Sequence, residues 1–340
     1  MLILPTCWVE SCKLKASGER VFKSRLVAQG HLDTRLDINT TTGSCPQEAI
    51  RLNFLAAMTS PYYDPNNILV CNVTCAFLQS VLISAKTRPV AILPPIGHPD
   101  RGKYVWLCLR AVYGLPDGSY CFEVFLTQVL TSLGYVRVVD AIWAKIDPKT
   151  KRVLYTITQY ADDLMIIPIW GDVRTAEAEL CKHLDMGAAE PLHRYVGCDY
   201  TIAKDYVRIT QKSYIQSIYK PRLQKVPIQP LPSNVLEEQD TSAPLSSEDA
   251  TMYRSHLGAL AFVATVSRPD LSFACAWLSK FNQQPTTRSR RLLDQALGYA
   301  HATADLAITI RRPGKDFYML AHVDASFGSA TKLYPQAATY

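Results

Sequence analysis

Apolar and polar side chains alternate along the first thirty residues, in "CWVESCKLK" (7–15) and "RVFKSRLVAQG" (20–30), on either side of Ser17-Gly18-Glu19. A period of two predicts a β-hairpin. Residues 31–45 are polar and threonine-rich, as a loop would be. From Pro46, "QEAIRLNFLAAMTS" follows a helical period, with the proline suited to a first-turn position. "NNILVCNVTCAFL" (66–78) then predicts a strand, "AILPPIGHPDRGKY" (91–104) a loop, and "VWLCLRAVYGL" (105–115) a further strand and turn. "CFEVFLTQVLTSLGY" (121–135) predicts a helix stopped by Gly134.

Three strand runs fill "AIWAKIDPKTKRVLYTITQYADDLMIIPIW" (141–170), with turns at Asp147-Pro148-Lys149 and at the pair Asp162-Asp163. A helix follows over "DVRTAEAELCKHLDMG" (172–187), capped by Asp172 and stopped by Gly187. Two short strands, "HRYVGCDYTI" and "YVRITQ", lead to the helix "KSYIQSIYK", closed by Pro221. Residues 226–247 hold four prolines and little periodicity, so they predict a linker. Beyond it, Ser246 and Asp249 predict a capping box for a helix reaching about Ser267, with further helices over about 270–282 and 286–302. "AITIRR" and "FYMLAHVDASFG" predict two strands of a domain that stops early.

At 340 residues the chain is long enough for two or three domains. Its 48% hydrophobic and 19% charged residues are a globular balance. A formal charge of +6 is compatible with a polyanionic partner without requiring one. Ten scattered cysteines include no C-x-x-C pair, which favours buried free thiols in a reducing compartment over zinc. The start is too quickly polar for a signal peptide, and no apolar run reaches the roughly 18–20 residues of a membrane span. The expectation is an intracellular protein with no membrane partner.

The chemistry concentrates at "TITQYADDLMIIPI" (156–169). Asp in a tight turn is ordinary, because its side chain bonds nearby backbone. Here, however, both flanks are apolar on both faces, as in a covered sheet. Two adjacent carboxylates at the edge of such a sheet repel unless a cation cancels the charge, and Mg²⁺ prefers a few carboxylates with water and substrate phosphates. A strand–Asp–Asp–strand hairpin is therefore a candidate platform for phosphoryl transfer.

"QYADDLMI" resembles the Y-x-D-D core of reverse transcriptases. "KSRLVAQG" (23–30), "NVTCAFL" (72–78), "AVYGL" (111–115), "YVG" (195–197), "YRSHLGALAFVATVSRPDLSFA" (253–274) and "LSKFNQQPT" (278–286) follow in the order seen in copia-type LTR retrotransposon polymerases. The resemblance implies an α+β right-hand polymerase. Fingers, palm and thumb would occupy 1–225 and a linker 226–247. A helical connection region would cover 248–306, and a truncated RNase H-like segment 307–340. It implies a site for two Mg²⁺ (or Mn²⁺) ions on Asp162 and Asp163, nucleotide contacts from Lys23, Arg25, Phe77, Tyr113 and Gly114, and a primer grip at Tyr195, Val196 and Gly197. Phe77 would crowd a ribose 2′-OH, and Asp324 would be the surviving RNase H carboxylate. Partners would be an RNA template, a DNA primer and deoxynucleoside triphosphates, in a cytoplasmic virus-like particle if the parent family is a guide. Protease, integrase and the rest of RNase H are missing from the sequence.

The family's third carboxylate opens a D-V-x-x-A-F motif, where this chain reads Asn72-Val73-Thr74-Cys75-Ala76-Phe77. An amide carries no charge to hold Mg²⁺. Asp64, eight residues earlier in a proline-bounded loop, is a poor substitute. The expectation is a polymerase by descent that is impaired at residue 72. A non-enzymatic nucleic-acid-binding remnant is the alternative, and an unrelated metal-dependent phosphotransferase a third reading.

Overall fold

In a computed structural model the described residues are 1–14, 20–83, 89–220, 226–236, 240–314, 323–326 and 336–339, with backbone alone at 13–14, 323–326 and 336–339. The expected turn at Ser17-Gly18-Glu19 and the stop at Pro221 lie outside them. The chain forms two compact units, Met1–Leu192 and His193–Tyr340.

The first unit starts with β1 (Leu2–Leu4), β2 (Thr6–Leu14) and β3 (Arg20–Ala28). β2 and β3 pair antiparallel from Thr6↔Ala28 to Leu14↔Arg20, the expected hairpin. β1 is not part of it. Separated from β2 by Pro5, it pairs parallel with β5 (Val90–Ile92), which also carries β6 (Trp106–Leu107). Leu2, Leu4, Ala28, Val90, Ile92, Cys108 and Leu115 form the small core of that sheet.

Helix α1 (Gln47–Thr59) begins after Pro46, whose extended backbone makes it the cap. The apolar run that follows is less extended than its composition suggests. β4 spans only Leu69–Asn72, and Cys75 turns into the left-handed region (φ 46°) to start a single helical turn, α2 (Ala76–Gln79). Helix α3 (Gly118–Ser132) ends at Gly134, whose φ of 80° suits a residue without Cβ.

A six-stranded sheet carries the unit. β7 (Tyr135–Val139), β8 (Ile142–Ile146), β9 (Val153–Tyr160) and β10 (Asp163–Pro168) form an antiparallel meander. β7 is a strand the pattern did not announce, because four of its five residues are not buried. β4 pairs with β10 on the far side, and β11 (Glu190–Pro191) closes that edge. Helix α4 (Val173–Cys181) is capped by the Asp172 side chain, as expected, but ends six residues before Gly187. Gly187 instead gives its N–H to the Asn72 carbonyl at 2.9 Å, beside the Asp162-Asp163 hairpin.

Alternation assigns the sheet's two faces. Leu69, Cys71, Ile157, Leu164 and Ile166 join Phe122, Leu126 and Leu130 of α3 and Val173, Ala176 and Leu180 of α4 in the main core. α1 packs on β10. Burial on both faces explains why β9 and β10 read as continuous apolar runs.

In the second unit, β12 (Arg194–Tyr195), β13 (Cys198–Ile202), β14 (Tyr206–Thr210) and β15 (Ile308–Arg311) make an antiparallel sheet. The strand in "AITIRR" thus pairs with β14, not with the strand in "FYMLAHVDASFG" that was expected to share its domain. That second strand, β16 (Val323–Ser326), carries Asp324 and pairs with β17 (Gln336–Thr339). Helices α5 (Lys212–Ile218), α6 (Ser247–Val266), α7 (Ser272–Ser279) and α8 (Thr287–Ala302) share a core with Leu231 and Val235 of the proline-rich stretch. Ser246 caps α6 as expected, its Oγ accepting from the Asp249 N–H at 3.1 Å. Arg268 is wholly buried between Asp270 and the Thr303 carbonyl and hydroxyl. Among the described residues no helix is long and apolar enough to cross a membrane.

Candidate active site

Tyr160 pairs with Asp163 across β9 and β10, which leaves Ala161 and Asp162 as the two-residue loop of the hairpin. Ala161 takes φ 50°, the positive φ that two-residue hairpin loops need for their twist to match the strands. On the other side of β10, Asp163 is in register with Asn72 of β4, and the Val73 N–H continues the ladder to the Asp162 carbonyl at 2.8 Å. A slip of one residue would turn either side chain to the opposite face, so this register brings residue 72 to the acidic pair.

The contact is direct. Asn72 Nδ2 donates to Asp163 Oδ1 at 2.9 Å. Only the NH₂ end of a carboxamide can face an ionised carboxylate favourably, which sets the orientation of the amide. Asp64, by contrast, is occupied at the start of a 3-10 turn, its Oδ1 accepting from the Asn66 N–H at 2.9 Å.

The hairpin tip lines a cleft of about 940 Å³ together with Lys23, Arg25 and Leu26 of β3, Asn72, Thr74, Cys75 and Leu78, and Tyr113. Basic groups stand on one wall and carboxylates on the other. Arg25 lies over the Tyr113 ring, 5.5 Å from its centroid. Burial, then the negative charge of Cys75 and Asp162, push the Tyr113 phenol up, with Arg25 opposing. Phe77 does not line the cleft. Its ring packs behind Tyr113, centroids 5.0 Å apart and tilted by 59°.

Backbone proximity holds β3 against this wall. The Ala28 N–H donates to the Tyr113 carbonyl at 2.8 Å. A Cβ on Gly114 (φ 91°) would strike the Ala28 carbonyl, and one on Gly30 would strike the Gly114 carbonyl. Gly114 is therefore a spacer between two backbones. A buried ion cluster reinforces the junction: Arg35 Nη2 bonds Asp33 Oδ2 at 2.8 Å and Asp117 Oδ1, ahead of α3, at 2.9 Å.

Lys23, Arg25, Asn72, Tyr113, Asp162 and Asp163 are thus gathered in one cleft, with Phe77 and Gly114 behind it. Tyr195, Val196 and Gly197 lie in the second unit, where Val196 (φ 46°) and Gly197 (φ 72°) form the two-residue loop between β12 and β13. The side chain of Asp324 lies outside the described residues. Sequence reasoning missed Gly30, Thr74, Cys75, Leu78 and the Asp33–Arg35–Asp117 cluster. Only Gly30, inside "VAQG", carried a local signal.

The donor set suits a hard cation. Asp162 and Asp163 supply carboxylate oxygens, and the cleft opens toward two basic side chains suited to phosphate. The third position offers a neutral amide whose N–H already occupies one oxygen of Asp163. Among the described residues, no three His, Cys, Asp or Glu side chains converge as a metal site.

Residues 2–225 match the family described as reverse transcriptase (RNA-dependent DNA polymerase). The chain is 25% identical over 332 residues to the retrovirus-related Pol polyprotein from transposon RE1 of Arabidopsis thaliana, covering 94% of this chain and 22% of that protein. It is 24% identical over 349 residues to the RE2 polyprotein of the same plant, with 96% and 22% covered. A putative transposon Ty5-1 protein of Saccharomyces cerevisiae is 25% identical over 274 residues, 76% of this chain and 83% of that one. The chain thus spans about a fifth of the length of the two plant polyproteins it matches.

Proposed function

Because the chain belongs to the reverse transcriptases (RNA-dependent DNA polymerases) of copia-type retrotransposons, we propose that its cleft binds a deoxynucleoside triphosphate over a primed RNA template and that residue 72 impairs the transfer step. The observation that carries this reading is the Asn72–Asp163 hydrogen bond at the acidic hairpin, facing Lys23 and Arg25.

Asp162 and Asp163 would hold divalent metal. When bound, such ions lower the pKa of the attacking hydroxyl and neutralise the leaving phosphates. Lys23 and Arg25 bind the phosphate oxygens, Arg25 held in place by stacking on Tyr113. Tyr113 floors the sugar site, and Phe77 behind it limits how far that ring can retreat, which disfavours a ribose 2′-OH. Asp163 accepts a proton-bearing amide where a carboxylate would complete the acid cluster, so the site is one negative charge short. A loss of several kcal/mol in transition-state stabilisation corresponds to roughly 10³-fold in rate. The Tyr195–Gly197 turn serves as the primer grip, and template and primer are held mainly through phosphates.

Binding tests this reading without requiring chemistry. Primed RNA template carrying a chain-terminated DNA primer should be retained under heparin challenge when Mg²⁺ and the next templated deoxynucleotide are present. A mismatched deoxynucleotide should give no such retention, and Lys23→Ala or the double substitution Asp162→Asn, Asp163→Asn should abolish the effect. Retention indifferent to the nucleotide would overturn the reading in favour of a nucleic-acid-binding remnant.

A further inference from the structure

Asn72, Thr74, Cys75 and Leu78 line the cleft, yet little regular structure holds the last three. β4 stops at Asn72. Cys75 then takes φ 46°, a left-handed conformation that costs a non-glycine residue energy and persists only where its surroundings fix it. The α2 turn that follows is four residues long, too short to hold its own shape.

Gln79, the last residue of that turn, supplies the restraint. Its Oε1 accepts from the Asp185 N–H at 2.9 Å, and its Nε2 donates to the Asp185 carbonyl at 2.9 Å and to the Thr74 carbonyl. Only this orientation of the carboxamide faces each backbone group with its complement. The side chain thus pairs with Asp185 as the peptide of a neighbouring strand would. It does so where the true backbone pairing runs out. The Gly187 N–H donates to the Asn72 carbonyl at 2.9 Å, Val73 bridges Met186, and the Thr74 N–H donates to the Asp185 carbonyl at 2.8 Å. Arg110 Nη1 in turn donates to the Gln79 and Ser80 carbonyls, so the end of α2 is itself anchored. Gln79 is not among the residues that line the cleft.

We propose that Gln79 is a positioning residue for the nucleotide site: its carboxamide holds the Thr74–Cys75 turn to the Asp185 backbone and so fixes the cleft wall that a deoxynucleoside triphosphate meets. This role rests on the reading of the cleft as the nucleotide site. It adds a part for the connection between α4 and β11, which carries Asp185 and lines none of the cleft.

Retention of primed RNA template under heparin challenge, titrated with the next templated deoxynucleotide in Mg²⁺, reads the effect. Gln79→Leu removes all three hydrogen bonds at nearly the same volume. The nucleotide concentration for half-maximal retention should rise about tenfold, the equivalent of one hydrogen bond. Affinity for the primed template without nucleotide should not change, whereas general loosening of the fold would lower both. Gln79→Glu has the same shape but turns an acceptor toward two carbonyls. It should show the same loss at about pH 7 and recover as pH falls toward about 5, where a protonated carboxyl again offers one donor and one acceptor. The wild type should show no such recovery. A wild type without nucleotide-dependent retention overturns the cleft reading, and this role with it. A wild type that responds, with both variants responding at the same nucleotide concentration, overturns the role of Gln79 alone, as does a Gln79→Glu loss that is indifferent to pH. Gln79→Glu decides the matter if Gln79→Leu does not fold.

Discussion

Replacing Asn72 by Asp exchanges a hydrogen-bond donor for a second negative charge beside Asp163 Oδ1, where the amide nitrogen now sits at 2.9 Å. Two effects add without metal. The hydrogen bond to a charged acceptor, worth about 1.5–3 kcal/mol when buried, is lost. Two unit charges 4 Å apart then repel by about 1 kcal/mol in water and about 4 kcal/mol at an effective dielectric of 20. Asn72 is exposed, so the low ends of both ranges apply, and a net loss of about 2 kcal/mol is expected. For a unit of this size that lowers the melting temperature by about 4–8 °C. A divalent cation at the three carboxylates reverses the sign, stabilising by about 2.7 kcal/mol at a hundred times its Kd. Thermal melts in EDTA and in 10 mM Mg²⁺ provide the assay. Asn72→Asp should melt below the wild type in EDTA and gain more from Mg²⁺. Equal melting in EDTA together with an equal Mg²⁺ gain would refute the geometry on which the account rests.

Two further outcomes follow from the packing. Arg35→Met strands Asp33 and Asp117 in a buried place, so chemical denaturation should show a loss of about 3–5 kcal/mol, whereas replacing all three by apolar residues should recover much of it. Burial alone would raise Asp270, but its hydrogen bond and charge contact with Arg268, aided by Tyr299, outweigh this and hold its pKa below the ordinary value. A lowered folded pKa means the stabilisation is complete above about pH 4, the unfolded value, and is lost as pH falls through the folded one. Asp270→Asn should therefore be less stable than the wild type at pH 7, with the difference shrinking below about pH 4 in acid-denaturation profiles.

Local chemistry made much of the fold legible. The β2–β3 alternation, the Asp172 and Ser246 caps, the Gly134 stop and the apolar strands flanking Asp162 and Asp163 all depend on near neighbours. What failed depended on distant ones. β1 left the hairpin because Leu2 and Leu4 found a parallel partner in β5. Gly187 resembled a helix stop but serves a backbone contact with Asn72. β7 was missed because an edge strand with exposed valines lacks a clean alternation. At the site, the acidic pair and the neutral amide at residue 72 were readable. Their hydrogen bond joins residues 91 apart, and the Arg35–Asp117 pair joins residues 82 apart. Such pairings emerge only from the folded sheet.

The rate of single-nucleotide addition tests the central claim most directly. With a DNA primer on an RNA template, saturating templated deoxynucleotide and Mg²⁺, Asn72→Asp should extend the primer about 10³-fold faster than the wild type, and Asp163→Asn in that background should remove the gain. A wild-type chain that adds nucleotides as fast as Asn72→Asp would contradict the account.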